Sequence, residues 1–481
     1  MKLREILSGI KIIKTDVSLE TEITGIAYDS RNVQPGYLFV AVPGFTVDGH
    51  AYIPKAVEQG ASAVICQRES EGPCVMVENS REALALASAN YFGRPSEKMT
   101  FIGITGTNGK TTSTYLLKEI LEKCLGAKVG LIGTIQNMIG DRIIETERTT
   151  PESYDLQELF AEMADAGCTH VVMEVSSHAL AQDRVAGIRF AVGMFSNLTQ
   201  DHLDFHKTMD EYRDAKAILF RMCDKGVFNT DDPASKKIME KATCSILTYG
   251  QHSSADLMAE SAELHSDSVE FVASCGEERI PVKLGIPGGF TVYNALCVLG
   301  AAVSLGIPLK DAAEALGTAR GVKGRVEVVP TPGRDYTVLI DYAHTPDSLE
   351  NVLTSVRGFC KGRLISVFGC GGDRDNTKRP VMGEIGARLS DIAIVTSDNP
   401  RTEDPHQIIE QILAGISDKK NCIVVENRRQ AIRQAMGIAG KDDIIVLCGK
   451  GHETYQILGT QKTHLDEREE VASALREQEG R

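Results

Sequence analysis

The stretch Phe101-Ile-Gly-Ile-Thr-Gly-Thr-Asn-Gly-Lys-Thr-Thr112 decides how this chain folds. A short apolar run, Phe101 to Ile104, reads as a buried strand. A glycine turn follows it, and Lys110, Thr111 and Thr112 open a helical pattern in which Leu116, Leu117, Ile120, Leu121 and Cys124 share one face. Strand, glycine turn, Lys-Thr and helix together predict a phosphate-binding loop, Gly106-Thr107-Asn108-Gly109-Lys110-Thr111-Thr112. Glycines let backbone N–H groups converge on phosphate oxygens, the helix N-terminus adds positive potential, and the first threonine can hold Mg²⁺. The spacing is unusual. The general pattern places a glycine five residues before Gly109, where this chain has Ile104, and Gly103 comes one place too early. An ordinary glycine turn in an α/β unit is the plainer alternative.

Outward from that loop the chain divides into three blocks. Residues 1–98 alternate short apolar strands (Thr24–Asp29, Tyr37–Val42, Ala63–Cys66, Cys74–Val77) with turns at Pro35-Gly36 and Pro43-Gly44, close on a helix Arg81–Tyr91, and end in a linker 93–98. Residues 99–325 open with the phosphate loop and continue with two fully apolar strands, His170–Val175 and Phe190–Phe195. Within this block, polar alternation over 252–284 suggests a small antiparallel excursion, and a helix is expected over Tyr293–Leu305. Residues 326–481 repeat strand and helix, with strands at Val338–Asp341, Leu364–Phe368, Ile392–Val395 and Ile444–Leu447, and finish in a charged tail that reads as a solvated helix. The expected fold is α/β in three domains: a small N-terminal α/β domain, a central P-loop domain with a parallel sheet, and a C-terminal doubly wound, Rossmann-like domain.

The length of 481 residues fits about two to four domains. A net charge of -14 argues against nonspecific nucleic-acid or membrane-surface binding, which needs a basic face, but not against anionic small ligands. No apolar stretch is long enough to span a membrane, and no signal peptide is apparent. The 12 cysteines form no Cys-x-x-Cys pair. Cys66, Cys74, Cys370, Cys422 and Cys448 lie inside apolar patterns and read as core residues of a reducing compartment, so a cytoplasmic location is expected.

Other constellations carry chemistry. Glu174 ends an apolar strand and precedes Val175-Ser-Ser-His178, the position at which α/β sheets place ligands and an acidic residue can hold a nucleotide's Mg²⁺. Asn197-Leu-Thr-Gln-Asp-His-Leu-Asp-Phe-His206 follows another strand, with His202 and His206 at helical spacing. Alone it invites a zinc reading; beside a phosphate loop, Mg²⁺ and phosphate chemistry suit it better, and a structural loop remains an alternative. Lys216, on an amphipathic helix Asp210–Phe220, reads by physics alone as an exposed helix lysine. Three polar loops, Gly369–Asp375, Thr396–Pro405 and Cys448–Glu453, each follow a strand of the third block. They predict one crevice that gathers Arg374, Arg401, Lys450 and Glu453, a mixture suited to a zwitterion with amine and carboxylate groups.

Together these strings resemble the Mur ligase family of ATP-dependent peptide-bond-forming enzymes along essentially the whole chain. The resemblance rests on Gly106–Thr112, Glu174–His178, Asp201–Asp204, Tyr212 with Lys216, Tyr293-Asn294, Gly324-Arg325, Asp341–Pro346 and the two last loops. Asp398-Asn399-Pro400-Arg401 matches the members that add meso-diaminopimelate to a UDP-muramoyl dipeptide; lysine-adding members have a different loop there. The resemblance implies ATP as co-substrate and two Mg²⁺ sites, with Lys110 at the ATP phosphates and Thr111, Glu174 and Lys216 as metal ligands. It also implies a CO₂-derived carbamate on Lys216 (N6-carboxylysine), with His202 close by. Asn294, Arg325 and Asp341 would contact the nucleotide. Ser30, Thr149, Thr150, Ser176, Gln182 and Arg184 would hold the UDP substrate, and Arg374, Asp398, Asn399, Pro400, Arg401, Gly449 and Glu453 the diaminopimelate. A monomer acting on small molecules, in peptidoglycan synthesis and with closure of domains over the reactants, is expected. A lysine-adding relative and a folylpolyglutamate synthase are the alternatives within the superfamily. A regulatory P-loop switch is a third, against which the missing Asn-Lys-x-Asp motif counts.

Overall fold

The computed structural model describes residues 1–44, 47–146, 148–319 and 321–479. It separates into two compact units, Met1–Leu257 with Cys297–Ala312, and Met258–Leu296 with Ala313–Arg481.

The first unit holds two sheets. The smaller runs in the order Ile12–Thr15, Cys74–Val77, Ala63–Cys66, Tyr37–Val40, Gly25–Ala27. Its last four strands are mutually parallel, and only Ile12–Thr15 is antiparallel. The larger sheet builds the phosphate site. Six parallel strands run in the order Val129–Ile132, His170–Glu174, Thr100–Thr105, Phe190–Phe195, Cys223–Asn229, Ser245–Gly250. Two short antiparallel strands, Asn137–Ile139 and Arg142–Ile144, extend it beyond Val129–Ile132. The strand that feeds the glycine loop is therefore central, with no side chain of Thr100–Thr105 beyond partial exposure. Strands buried on both faces read as unbroken apolar runs, which is why their bounds fall close to expectation. Three expected strands are shorter: Thr24–Asp29 and Tyr37–Val42 narrow to Gly25–Ala27 and Tyr37–Val40, and His170–Val175 stops at Glu174, because Val175 already turns toward the helix Ser177–Ala181.

Beneath this sheet Phe101 packs edge-on against Phe160 (centroids 4.7 Å apart) and Phe190 (6.4 Å). The two partners come from the helix Ser153–Asp165 and the strand Phe190–Phe195, so the aromatic cluster ties a helix to two neighbouring strands.

The second unit contains a six-stranded sheet in the order Glu327–Val329, Thr337–Asp341, Ile444–Cys448, Leu364–Phe368, Ile392–Val395, Cys422–Val424. All pairs except the first are parallel. Helices cover both faces and bury two separate apolar clusters, one around Leu353, Phe368 and Ile412, the other around Ile394, Ile432 and Val471. The polar excursion is a meander of Leu257–Leu264, Val269–Cys275 and Glu278–Leu284, the last two antiparallel. The charged tail departs from expectation. The helix Glu467–Glu479 is not merely solvated: Val471, Ala474 and Leu475 are buried in the second apolar cluster. Their i, i+3, i+4 spacing is a narrow apolar stripe that the surrounding charge conceals.

Phe160→Ala removes the helix's ring from the aromatic cluster around Phe101. A loss of about 3–5 kcal/mol is expected from such a buried truncation, read as a lower urea midpoint for the first unit. A loss below ~1 kcal/mol would show that the cluster is not what joins helix to sheet.

Candidate active site

The phosphate loop is built as its sequence requires. Gly106 adopts φ +149°, and a Cβ there would lie 1.9 Å from Ser196 Oγ. Gly109, at φ 85°, starts the helix Lys110–Leu125, which has no side-chain cap at its N-terminus. A helix start without a side-chain cap suits an anion. A second segment holds the loop in shape. Thr107 N–H donates to Asn197 O (2.9 Å) and Asn108 N–H to Asn197 Oδ1 (2.9 Å). Ser196 Oγ donates to Asn108 O (2.7 Å). Sequence spacing alone does not reveal Ser196 as a support; its place at the end of the neighbouring strand Phe190–Phe195 does.

Two cations meet on one carbonyl. Gly106 O accepts from Lys110 Nζ (2.9 Å) and from Lys216 Nζ (2.8 Å). Lys110 also donates to Thr107 O at 2.7 Å. Lys216 is 1% exposed, which corrects its reading as a surface helix lysine. It sits on the helix Met209–Ala217, four residues after the buried Tyr212, and its ammonium lies 4.2 Å from the centre of that ring. Among the described residues no carboxylate reaches hydrogen-bond distance of Lys216. Burial first, and then the charge of Lys110, hold its amine well below the ordinary lysine value; Asp201 opposes them.

Glu174 lies beside Ile104 in register, almost fully buried, and accepts from Thr134 N–H (3.0 Å) and Thr134 Oγ1 (3.0 Å). Thr111 and Thr112 are buried on the first turn of the loop's helix. His202 and His206 do not share a helix face. His202 caps the single turn Leu203–His206 in a left-handed conformation, φ 53°. Both rings instead pack on His178, at 4.8 and 5.5 Å, and His206 Nε2 reaches Ser177 Oγ at 2.9 Å. The side chain of Asp204 lies outside the described residues.

Five of the six residues expected at the UDP substrate form one connected cluster against Glu174. Thr149 Oγ1 meets Thr134 Oγ1 (2.9 Å), and Thr150 Oγ1 donates to Glu174 O (2.9 Å). Ser176 N–H donates to Thr150 Oγ1 (3.1 Å), and Arg184 donates to Thr150 O (2.9 Å) and Gln182 Oε1 (2.7 Å). Ser30 is not part of this network; it opens a turn, Ser30–Asn32, beside a cavity of about 490 Å³ lined also by Arg31, Tyr52 and Lys55.

In the second unit, Arg325 and Asp341 are brought together, and the Arg325 guanidinium lies 5.7 Å from the Tyr342 ring. Burial pushes the Asp341 carboxyl up, with Arg325 opposing, and Asp341 accepts from Val326 N–H at 2.9 Å. Asn294 is buried on the helix Gly289–Ser304. The three polar loops do share one end of the sheet, because their strands Ile444–Cys448, Leu364–Phe368 and Ile392–Val395 are adjacent and parallel. Asn399 Nδ2 donates to Glu453 Oε2 (3.0 Å), and Lys450 Nζ donates to Asn399 Oδ1 (2.5 Å) and Glu453 Oε2 (3.1 Å). Lys450 is thus consumed in holding two loops together. Arg401, at φ 52°, donates to Gly372 O (2.8 Å), and a Cβ on Gly372 would lie 1.9 Å from Pro400 O. Gly449 leaves room for Asp398: a Cβ would meet its Oδ2 at 2.5 Å. Arg374 stays exposed and, among the described residues, donates only to Asp373 O. The buried Arg379, missed in the sequence, grips Glu403 with both nitrogens (2.8 and 2.9 Å), and Glu403 Oε1 accepts from Asp373 N–H, so the Arg374 and Arg401 loops are tied together from behind.

Three family descriptions match the chain: "Mur ligase family, catalytic domain" over residues 22–92, "Mur ligase middle domain" over 104–302, and "Mur ligase, glutamate ligase domain" over 324–451. A protein of Clostridium botulinum named UDP-N-acetylmuramoyl-L-alanyl-D-glutamate--2,6-diaminopimelate ligase is 52% identical over 464 residues, 95% of this chain and 96% of that one. A protein of the same name from Caldanaerobacter subterraneus is 50% identical over 487 residues, 100% of both chains. A solved structure of a ligase with this name superposes with a TM-score of 0.76 at 31% identity, covering 100% of this chain and 99% of the other.

The depressed amine of Lys216 has a signature in stability. Between its folded pKa and the ordinary value of 10.5 the native state binds fewer protons than the unfolded chain, so the stability this residue contributes rises with pH across that window. Lys216→Met, in buffer free of CO₂, should flatten that rise and lift the melting temperature at neutral pH by at least about 2 °C. An unchanged pH slope would show that the amine is not held down by burial.

Proposed function

The chain belongs to the Mur ligase family, and from that premise we propose that it is an ATP-dependent acid–amino-acid ligase that adds meso-2,6-diaminopimelate to UDP-N-acetylmuramoyl-L-alanyl-D-glutamate, a step of peptidoglycan synthesis. Relatives of that name match it from end to end at about half identity. The observation that carries the reading is the pair of lysines on the Gly106 carbonyl: one at the phosphate loop, the other buried, with its amine held below the ordinary lysine value.

The chemistry explains that pair. A carboxylate acylates an amine poorly, because oxide would have to leave. Attack of the D-glutamate γ-carboxylate on the γ-phosphorus of ATP forms an acyl phosphate and releases ADP. The amine of diaminopimelate then attacks the acyl carbon, the amide forms, and phosphate leaves with loss of a proton from nitrogen. Lys110 serves the phosphates as a point charge. Lys216, its amine held below the ordinary lysine value, supplies in its neutral form the nucleophile that CO₂ needs: nitrogen adds to carbon, a proton is lost, and an anionic carbamate replaces the amine. Arg184, Gln182, Ser176, Thr149, Thr150 and, on its separate turn, Ser30 hold the UDP substrate; Arg325, Asp341 and Asn294 serve the nucleotide. Arg374, Asn399, Arg401, Gly449 and Glu453 receive the zwitterionic amino acid, an arginine fork suiting its carboxylate.

The residues fit Mg²⁺ in two sites. The uncapped helix end and the glycine cradle suit phosphate, and a buried carboxylate, a threonine and a carbamate are hard oxygen donors. Thr111, Glu174 and carbamoylated Lys216 would hold the ions, with His202 near the carbamate. When bound, Mg²⁺ supplies positive charge against the crowded phosphate and carboxylate oxygens.

The reading keeps three domains, 1–98, 99–325 and 326–481, and a monomer acting on small molecules in the cytoplasm. Among the described residues no helix is long and apolar enough to cross a membrane. Phosphate release in the presence of ATP and UDP-muramoyl dipeptide tests it. Diaminopimelate should raise the rate at least tenfold over lysine or ornithine. Faster turnover with lysine contradicts the choice of amino acid, and release indifferent to all three contradicts the ligase.

A further inference from the structure

We infer that Arg428 is a positioning residue for the amino-acid site: its guanidinium fixes the Asp398–Arg401 loop and the Cys448–Glu453 loop relative to each other. The inference rests on the function proposed above for those loops, and no motif pointed to it. Arg428 follows the capping Asn427 and opens the helix Arg428–Ile438, a position where a charged side chain ordinarily faces solvent. Instead its side chain is fully buried.

The guanidinium spans three segments distant in sequence. Nη2 donates to Cys448 O (2.8 Å), the last residue of the strand that feeds the glycine loop. Nε donates to Glu467 Oε1 (2.9 Å), on the first residue of the final helix, itself fully buried. Nη1 faces Asp398 Oδ2 at 3.9 Å. On the other side of Asp398, Lys450 Nζ stands 3.8 Å from Oδ1 and donates to Asn399 and Glu453. A chain of hydrogen bonds, bridged at Asp398 by two longer ion pairs, therefore runs from Glu467 through Arg428, Asp398 and Lys450 to Asn399 and Glu453, two of the side chains expected to meet the substrate. Arg428 is the only member of that chain that touches the starts of both loops.

Two features separate this arrangement from a plain buried ion pair. The guanidinium sits at the carboxyl ends of the strands, where ligands bind, and not among the apolar side chains. The chain also carries Arg428 and Lys450 against Asp398, Glu453 and Glu467, two positive charges to three negative, so one negative charge is left over. An ammonium arriving at Glu453 completes the balance, and a rigid Arg428 keeps that excess charge where the ammonium must come.

The test compares Arg428→Met, Arg428→Lys and the double variant Arg428→Met/Glu467→Gln, which removes the stranded carboxylate and so keeps a folded protein in hand if the single variant fails. KM for diaminopimelate, ATP and UDP-muramoyl dipeptide and amide hydrogen exchange of residues 398–401 and 449–453 are read in each. Expected is a rise of at least tenfold in KM for diaminopimelate, with the other two KM values within twofold and faster exchange confined to the two loops. Arg428→Lys should recover part of both effects, and the double variant should regain thermal stability but not KM. All three KM values moving together, loops that loosen without a change in KM, or full recovery of KM in the double variant would each overturn the role. Wild-type protein that does not use diaminopimelate, while the loops still loosen in the variants and KM for the amino acid it does use rises, would instead contradict the proposed substrate and leave the positioning role standing.

Discussion

Two ammonium groups converge on one backbone carbonyl, and much of the first unit exists to make that tolerable. Gly106 O takes Lys110 and Lys216 within 3 Å of each other's acceptor. Like charges that close, with one of them out of water, repel strongly unless one gives up its proton. The fold forces the approach: position 106 admits no side chain because Ser196 fills the space, and Tyr212 walls the other side of Lys216. The result is an amine ready to be neutral and a carbonyl already saturated with donors, next to a helix end that wants an anion. On the function proposed above, converting the second lysine to a carbamate would replace the repulsion by attraction and create a metal ligand in one step.

The second unit solves a related problem with permanent charges. Its three loops leave adjacent parallel strands, so their backbones already lie side by side. What they lack is rigidity, which buried arginines supply from behind: Arg379 through Glu403 and Arg428 through Glu467. Removing one partner from such a pair leaves an uncompensated buried charge, so each pair is hard to lose singly although neither need add much net stability.

Much of this was legible in the sequence. Ala63–Cys66, Cys74–Val77, Phe190–Phe195, Leu364–Phe368 and Ile392–Val395 form strands with the expected bounds, because doubly buried strands are written as unbroken apolar runs between turn residues. The glycine loop, Glu174 at a strand end and the loops around Arg401 and Glu453 followed from the same logic. Lys216 did not. Its helix is amphipathic on paper, and only the packing of Tyr212 against the loop decides that the lysine points inward. Arg379 and Arg428 were hidden for the same reason: a charged residue at a helix start reads as solvated until its carboxylate, 24 or 39 residues away, is placed beside it. The final helix misled in the opposite direction, its charges masking Val471, Ala474 and Leu475.

The central claim is that the glycine loop delivers a phosphoryl group to a carboxylate. It is tested most directly by supplying UDP-muramoyl dipeptide with ¹⁸O in the γ-carboxylate of its glutamate and analysing the released phosphate by mass spectrometry. Transfer of one labelled oxygen per phosphate is predicted, because the oxygen that attacks phosphorus leaves with it when the amide forms. Phosphate free of label would mean that ATP is hydrolysed by water and that the carboxylate is activated in some other way.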